Sequence, residues 1–127
     1  MIYGVGQDLV EIARIERALT RFGERFARRI LCGPELARFH SHRQPAAFLA
    51  KRFAAKEAFT KALGTGIRAP ANWHGVWVTN LKSGQPQLEF SDELKSFLKK
   101  KQIRHAHLSL TDERDIACAT VILERAD

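Results

Sequence analysis

Residues 45–64 read PAAFLAKRFAAKEAFTKALG. Proline begins this stretch and glycine ends it, while alanine, a strong helix former, recurs between them. The pattern predicts one long helix from Pro45 to Gly64. A single carboxylate, Glu57, stands in this helix among four cations, which are Lys51, Arg52, Lys56 and Lys61. Such an arrangement is either a solvated helix face or a site that holds a metal ion and a phosphate together.

The segments on either side of this helix combine strands and helices. Before it, MIYGVGQDLV is strand-like through about Val10, residues 11–30 carry a helical period that Gly23 bends or interrupts, and Pro34 begins a short helix. After it come further strand-like and helical segments, with the sequences WHGVWVTNL, PQLEF, SDELKSFLKKK, HAHLSLT and DIACATVILE. We therefore predict an α+β fold, a single domain over residues 1–127 with helices packed on an antiparallel sheet.

The composition indicates a globular protein with an anionic partner. Hydrophobic residues make up 45% of the 127 residues, which is too many for a disordered chain. Lysine and arginine exceed aspartate and glutamate by enough to give a net charge of +7. The partner is therefore a nucleic acid, a phosphate-rich small molecule, an acidic protein or an anionic membrane, and charge alone does not choose among them.

The location is also constrained by the sequence. There is no apolar run of the roughly 18–20 residues that a membrane span needs, and MIYGVGQDLVEIARIER does not follow the pattern of a secretory signal. Cys32 and Cys118 lie far apart in no metal-like spacing. We expect a cytoplasmic protein with two ordinary thiols and no membrane association.

A row of arginines accompanies the first predicted helix. The apolar stripe of that helix comprises Ile12, Ile15, Leu19, Phe22, Phe26 and Ile30. The same three-four spacing, offset from the stripe, places Arg14, Arg17, Arg21, Arg25 and Arg28 on the exposed side. A solvated face is the plain interpretation. The guanidinium fork suits carboxylates and phosphates, however, and we interpret the row as a docking surface for an acidic partner.

Glu57 follows Leu49 and Phe53 on one row of the long helix and precedes Lys61. An apolar row predicts a partly buried carboxylate, which needs a cationic partner. Lys61 is one candidate for that partner, and a divalent metal is the other. Mg²⁺ takes one or two protein carboxylates with waters and substrate phosphates, and Asp8 is the candidate second ligand. Capping of the following helix is the alternative role for Asp8.

Two motifs carry a family resemblance. GVGQDLVEIARIER together with FLAKRFAAKEAFTKALGTGI resembles the paired signature of the holo-[acyl-carrier-protein] synthase family, the small type of 4′-phosphopantetheinyl transferase. The likeness covers essentially the whole chain, including the closing HLSLTDERDIACATVILE. Each motif alone is weak evidence for the family, whereas the two motifs in this order are highly specific for it.

The resemblance implies a reaction and a set of reacting groups. Members of the family transfer the 4′-phosphopantetheine of coenzyme A to a serine of apo-acyl carrier protein and release 3′,5′-ADP, in support of fatty acid biosynthesis. The match places Mg²⁺ ligands at Asp8 and Glu57 and a phosphate-contacting lysine at Lys61. It also implies that the cations around Glu57 face the phosphates of the substrate.

The resemblance further implies partners and contacts. Arg14 falls at the carrier-protein position, and Arg17, Arg21 and Arg25 extend that surface. The expected coenzyme A contacts are Arg52, Lys61, Gly64, Thr65, Gly66 and His107. A homotrimer with shared active sites is also implied. The chain departs from the family at Asp112, where many members have a second histidine, so we leave Asp112 out of these contacts.

Simpler roles and rival functions remain open for several of these features. Gly64-Thr65-Gly66 is also an ordinary helix end, and His107 is also an ordinary strand histidine with a satisfied hydrogen bond. The pairs His40-x-His42 and His105-x-His107 lack a third ligand, so we treat them as structural. The rival functions are a nucleic-acid-binding domain without enzymatic activity, which has no need of Asp8 and Glu57, and a Mg²⁺-dependent phosphodiesterase or nuclease.

Overall fold

The computed structural model describes residues 1–126 and confirms the α+β class. The elements in chain order are β1 (Ile2–Glu11), α1 (Ile12–Phe22), α2 (Glu24–Ile30), α3 (Gly33–Ser41), α4 (Pro45–Leu63), β2 (Val76–Asn80), β3 (Pro86–Phe90), α5 (Asp92–Lys100), β4 (Ile103–Glu113) and β5 (Ile116–Arg125). Strands β1, β5 and β4 form one antiparallel sheet in that order, and β2 pairs with β3 in a hairpin.

Helix α4 is the centre of the hydrophobic core. It begins at Pro45 and ends against Gly64, whose φ of 87° is the left-handed conformation that glycine supplies most easily. Phe48 and Phe59 are fully buried on it, and each buried phenylalanine contributes roughly 1.5–3 kcal/mol to stability. Buried residues occur around its whole circumference, which is typical of a helix enclosed by other elements.

The β1 strand lies unusually close to α4. A Cβ atom on Gly6 would lie 1.9 Å from the carbonyl oxygen of Ala58, and one on Gly4 would lie 2.0 Å from that of Ala62. No side chain fits in that space, so the two glycines allow the strand backbone to rest directly on the helix. This contact brings the strand that carries Asp8 against the helix that carries Glu57.

The predicted first helix is two helices in the structure. Gly23 has a φ of 62°, and α1 ends before it while α2 begins after it. Phe22 does not complete the buried stripe that we expected, because it is 52% exposed at the end of α1. The break at Gly23 turns that last residue of α1 outward, and the arginine row therefore runs across two helices.

The sheet has a buried face and an open face. On β5 the buried face carries Ala117, Ala119, Val121 and Leu123, which pack toward α4. We use "open face" for the opposite side of the sheet, which carries Val5, Leu9, Ile116, Cys118 and Ile122. Its β1 residues are largely exposed, Val5 at 57% and Leu9 at 68%. Within residues 1–126, no helix has the length and apolar character that crossing a membrane requires.

Candidate active site

Asp8 lies within β1, where it pairs in register with Ala119 on the face of the sheet that packs against α4. The strand continues to Glu11, so Asp8 is separated from the start of α1. The N-cap of α1 is Glu11, and no side chain caps it. The capping role for Asp8 is therefore excluded, and its carboxylate, 15% exposed, points into the space between β1 and α4.

Glu57 is half-buried on α4 and faces Asp8. Burial raises the pKa of Glu57 above its ordinary value, and the negative charge of Asp8 raises it further. Lys61 and Arg14 act in the opposite direction, because a nearby positive charge favours the ionised carboxylate. The structure thus brings together two acids from distant parts of the chain, within electrostatic reach of two cations.

Lys61 pairs with Asp8. Its Nζ atom lies 2.9 Å from Oδ1 of Asp8 and 3.1 Å from the backbone oxygen of Gln7. The closest acid to Lys61 is therefore the strand carboxylate rather than Glu57, one turn earlier on the same helix. About half of the Lys61 side chain is exposed, so its ammonium group is accessible from solvent.

The expectation that all the cations around Glu57 face the substrate is wrong for Lys56. Its side chain is completely buried and forms an ion pair with buried Glu35. Lys51 pairs with Asp112, at 3.1 Å between Nζ and Oδ1, which gives Asp112 a structural partner. Helical periodicity predicted where these side chains project, but it could not show that α3 and β2 cover the face on which Lys56 lies.

Arg52 is 4% exposed on a different face of α4 from Glu57. Its guanidinium carbon lies 4.0 Å from the centre of the Phe48 ring, and Nη2 donates to Oδ1 of Asn80 over 3.4 Å. Burial lowers the pKa of Arg52 to about 10. Its Nε atom is buried and has no hydrogen-bond partner among residues 1–126, so one donor of this side chain is unused.

The remaining expected coenzyme A contacts occupy two places. Gly64 and Gly66 have positive φ values, 87° and 73°, and Thr65 donates its backbone N–H to Thr60, so this loop ends α4 one turn beyond Lys61. His107 lies on the open face of β4, where its Nε2 atom is 2.5 Å from a carboxylate oxygen of Glu124. That hydrogen bond lowers the pKa of Glu124.

The arginine row borders the candidate active site. Arg14 is close enough to Glu57 to lower its pKa, and Arg17, Arg21 and Arg25 continue along the exposed surface of α1 and α2. The exposed ring of Phe22 lies beside this row, with the Arg21 guanidinium 5.1 Å from its centre. The sequence indicated the bend at Gly23 but not this apolar surface, because the exposure of Phe22 depends on how α1 and α2 pack.

The donor atoms of the site suit a magnesium ion. Residues 1–126 contain no group of three or more histidine, cysteine, aspartate or glutamate side chains placed to hold a metal. Asp8 and Glu57 instead offer two carboxylates close enough that the charge of Asp8 raises the pKa of Glu57. Mg²⁺ is commonly held by one or two carboxylates together with waters and phosphate oxygens. His40 and His107 are each engaged by a glutamate, Glu24 and Glu124 respectively.

Comparison with known proteins identifies close relatives. A model of the 4′-phosphopantetheinyl transferase superfamily matches residues 4–121. The holo-[acyl-carrier-protein] synthase of Nitrosospira multiformis is 51% identical over 125 residues, which cover 98% of this chain and 100% of that protein. The synthase of Vibrio cholerae is 52% identical over 125 residues, covering 98% and 99%.

Solved structures of such synthases share the fold. The structure from Neisseria meningitidis superposes with a TM-score of 0.96 at 42% identity and covers 98% of this chain and 100% of that one. A Bacillus anthracis synthase in complex with coenzyme A (3′,5′-ADP) superposes with a TM-score of 0.84 at 34% identity, covering 99% of both chains.

Proposed function

The chain belongs to the 4′-phosphopantetheinyl transferase superfamily, and we propose that it transfers the 4′-phosphopantetheine of coenzyme A to a serine of apo-acyl carrier protein, releasing 3′,5′-ADP. The structural observation that carries this proposal is the convergence of Asp8, Glu57 and Lys61 between β1 and α4. Two carboxylates beside an accessible ammonium group form a site for a divalent cation and a phosphate chain.

Asp8 and Glu57 would hold Mg²⁺, which supplies positive charge next to the diphosphate of coenzyme A. Lys61 donates to a phosphate oxygen and so stabilises the negative charge that develops on the departing 3′,5′-ADP. The nucleophile is the carrier serine, and this chain therefore needs no nucleophile of its own. Most of the rate enhancement then comes from positioning and electrostatics.

Further contacts with coenzyme A are proposed at Gly64, Thr65, Gly66 and Arg52. The N–H groups of Gly64 and Thr65 already bond to the carbonyl oxygen of Thr60, so we propose that the backbone of Gly66, which has no side chain in the way, approaches the ligand most closely, beside Lys61 at the end of α4. We propose that the buried Nε of Arg52, which has no partner among residues 1–126, donates to an oxygen of coenzyme A when the side chains that cover it move aside. Arg52 lies on another face of α4, so it would contact a part of coenzyme A away from the diphosphate.

The docking surface for the carrier protein is proposed to comprise Arg14, Arg17, Arg21 and Arg25 together with Phe22. The arginines are exposed and Phe22 is half-exposed, and the row begins beside Glu57. A positive surface with an apolar centre suits an acidic carrier, because charge steers the encounter while apolar contact lengthens the lifetime of the complex.

We propose a homotrimer with shared active sites, because the open face of the sheet is apolar and Asp8 and His107 lie on opposite faces. The open face carries exposed apolar residues, which in soluble proteins commonly mark an interface. His107 lies on that open face, opposite Ile122, whereas Asp8 lies on the buried face. His107 would therefore reach a coenzyme A molecule that is held by Asp8 and Glu57 of a neighbouring subunit.

We further propose that residues 1–127 act as one transferase domain in the cytoplasm and supply holo-carrier protein for fatty acid biosynthesis. The superfamily match over most of the chain supports the single domain. A free coenzyme A pool and an acidic carrier are the partners that this role requires.

The test is a transfer assay with purified protein, coenzyme A, Mg²⁺ and apo-carrier protein. Intact mass spectrometry of the carrier should show the gain of one phosphopantetheine group, and 3′,5′-ADP should appear in equal amount. Cleavage of coenzyme A without modification of the carrier would favour a phosphodiesterase. If neither product forms and the protein binds nucleic acid, the nucleic-acid-binding alternative is favoured and the transferase assignment is overturned.

A further inference from the structure

Lys56 is a fully buried cation at the residue directly before Glu57. Its exposed fraction is 0%, and its Nζ atom has three oxygen acceptors. They are the carbonyl oxygen of Ile30 at 2.6 Å, Oε1 of Glu35 at 2.7 Å and the carbonyl oxygen of Trp73 at 2.8 Å. Three acceptors match the three N–H donors of an ammonium group, so the side chain is held in one position.

Glu35 is the buried acid of this pair, and it is 1% exposed. Its Oε1 atom also accepts from the backbone N–H of Cys32 at 2.9 Å, and its Oε2 atom accepts from the backbone N–H of Val78 at 2.9 Å. Through Lys56 and Glu35, the end of α2, the start of α3, the loop before β2 and β2 itself are all bonded to α4.

The burial of this pair has a physical cost. Removing both charges from water offsets much of their attraction, and well-packed apolar residues often stabilise a core as well as a buried ion pair does. What the pair adds is directionality, because the hydrogen bonds of Lys56, at 2.6–2.8 Å, tie one side of α4 to fixed acceptors on other elements. The pair is therefore better explained by the placement of α4 than by stability alone.

The rotation of α4 determines where Glu57 points. Residues 56 and 57 project about 100° apart on the helix, so a turn of α4 that displaces Lys56 displaces Glu57 equally. On the β1 side the helix contacts Gly4 and Gly6, and on the other side it is bonded through Lys56. We propose that Lys56 and Glu35 are positioning residues, which set the rotation of α4 so that Glu57 meets Asp8; this inference rests on the proposed function.

The first test variant is Glu35→Asp, which keeps the charge and withdraws the carboxylate by one methylene group. Either Lys56 or α3 must then shift to restore the bond. The Mn²⁺ affinity of the folded variant, measured by electron paramagnetic resonance in whatever assembly state it has in solution, should fall roughly tenfold or more. The kcat for transfer should fall up to about 10²-fold, because small displacements of reacting groups cost rate steeply.

The second variant is Lys56→Met combined with Glu35→Gln, which removes both buried charges together. Its Mn²⁺ affinity and kcat should fall as those of Glu35→Asp do. The matched control is His40→Gln with Glu24→Gln, which removes an exposed ion pair between α3 and α2 while leaving the buried pair intact. The control should keep Mn²⁺ affinity and kcat within about twofold of the parent protein, since surface pairs contribute little.

The outcomes separate this inference from the proposed function. A parent protein that neither binds Mn²⁺ nor modifies the carrier would overturn the proposed function itself. A parent that does both, with a Glu35→Asp variant that melts earlier but keeps its Mn²⁺ affinity and its kcat per folded molecule, would reduce the pair to a structural role. Should the neutral double variant not fold, Glu35→Asp alone decides between these results.

Discussion

Lys61 and Asp8 form an ion pair across 53 residues of sequence, with Nζ 2.9 Å from Oδ1. The pair joins the last turn of α4 to the middle of β1 and lies beside Glu57, whose pKa both residues influence. One cation therefore neutralises part of a two-acid site. Asp8 and Glu57 would hold the proposed Mg²⁺, and Lys61, whose side chain is half exposed, would then donate to a phosphate instead of to Asp8.

Replacement of Glu57 by glutamine should abolish turnover without unfolding the protein. The amide keeps the shape of the side chain but removes the charge that a Mg²⁺ ion requires. We expect kcat to fall by about 10²-fold or more, as when other groups that stabilise charge in the transition state are removed. Transfer measured by carrier mass, with circular dichroism as a check of folding, tests this. Glu93→Gln on α5 is the matched control, and near-normal activity of Glu57→Gln would exclude a ligand role.

The same substitution should change how stability depends on pH. Burial and Asp8 raise the pKa of Glu57, so the folded metal-free protein holds this proton more tightly than the unfolded chain. As pH rises from the ordinary glutamate value of 4.5 through the raised pKa, ionisation of Glu57 lowers the free energy of unfolding. In EDTA, the Tm of Glu57→Gln minus that of the parent should therefore increase as pH rises through this interval. A Tm difference that is constant with pH would contradict the shift.

The features predicted from the sequence are those with local causes. Pro45 and Gly64 bound a helix through their own backbone preferences, and the strand around Asp8 follows from its β-prone neighbours. The burial of Lys56 could not be predicted, because its partner Glu35 lies on another helix and the spacing of the cations in α4 looks uniform. The exposure of Phe22 was missed for a similar reason, since the angle between α1 and α2 depends on packing.

The substitution Gly6→Ala should separate Asp8 from Glu57, the two residues of the proposed metal site. The new Cβ atom would lie 1.9 Å from the carbonyl oxygen of Ala58, so β1 or α4 must move. We expect a loss of about 1–3 kcal/mol in the free energy of unfolding, typical of an overpacked core, together with weaker Mn²⁺ binding. Urea unfolding and metal titration measure the two effects. Gly33→Ala is the control, because its Cβ would meet nothing within 4 Å, and equal behaviour of the two variants would refute the close contact.

The substitution Arg14→Ala should impair use of the carrier protein much more than use of coenzyme A. Arg14 begins the exposed arginine row beside Glu57, where it would meet acidic side chains of the carrier. We expect the KM for the carrier to rise by about tenfold, equivalent to roughly 1.4 kcal/mol, and the sensitivity of kcat/KM to salt to decrease. Lys95→Ala, which removes one exposed charge on α5, is the control. Equal losses for both substrates would argue against a docking role.

The open face of the sheet predicts the assembly state. Leu9 is 68% exposed there and lies beside Cys118 in the neighbouring strand, so a subunit interface on this face would bury it. An aspartate at position 9 would place a charge in that interface without a partner, which strongly disfavours association. Leu9→Asp should therefore convert the proposed trimer to monomer in sedimentation equilibrium, and activity should fall because the proposed contact of a neighbour's His107 with coenzyme A is lost. Leu81→Asp, at an exposed leucine after β2, should remain trimeric. A Leu9→Asp protein that sediments as the parent does would show that the open face is not the interface.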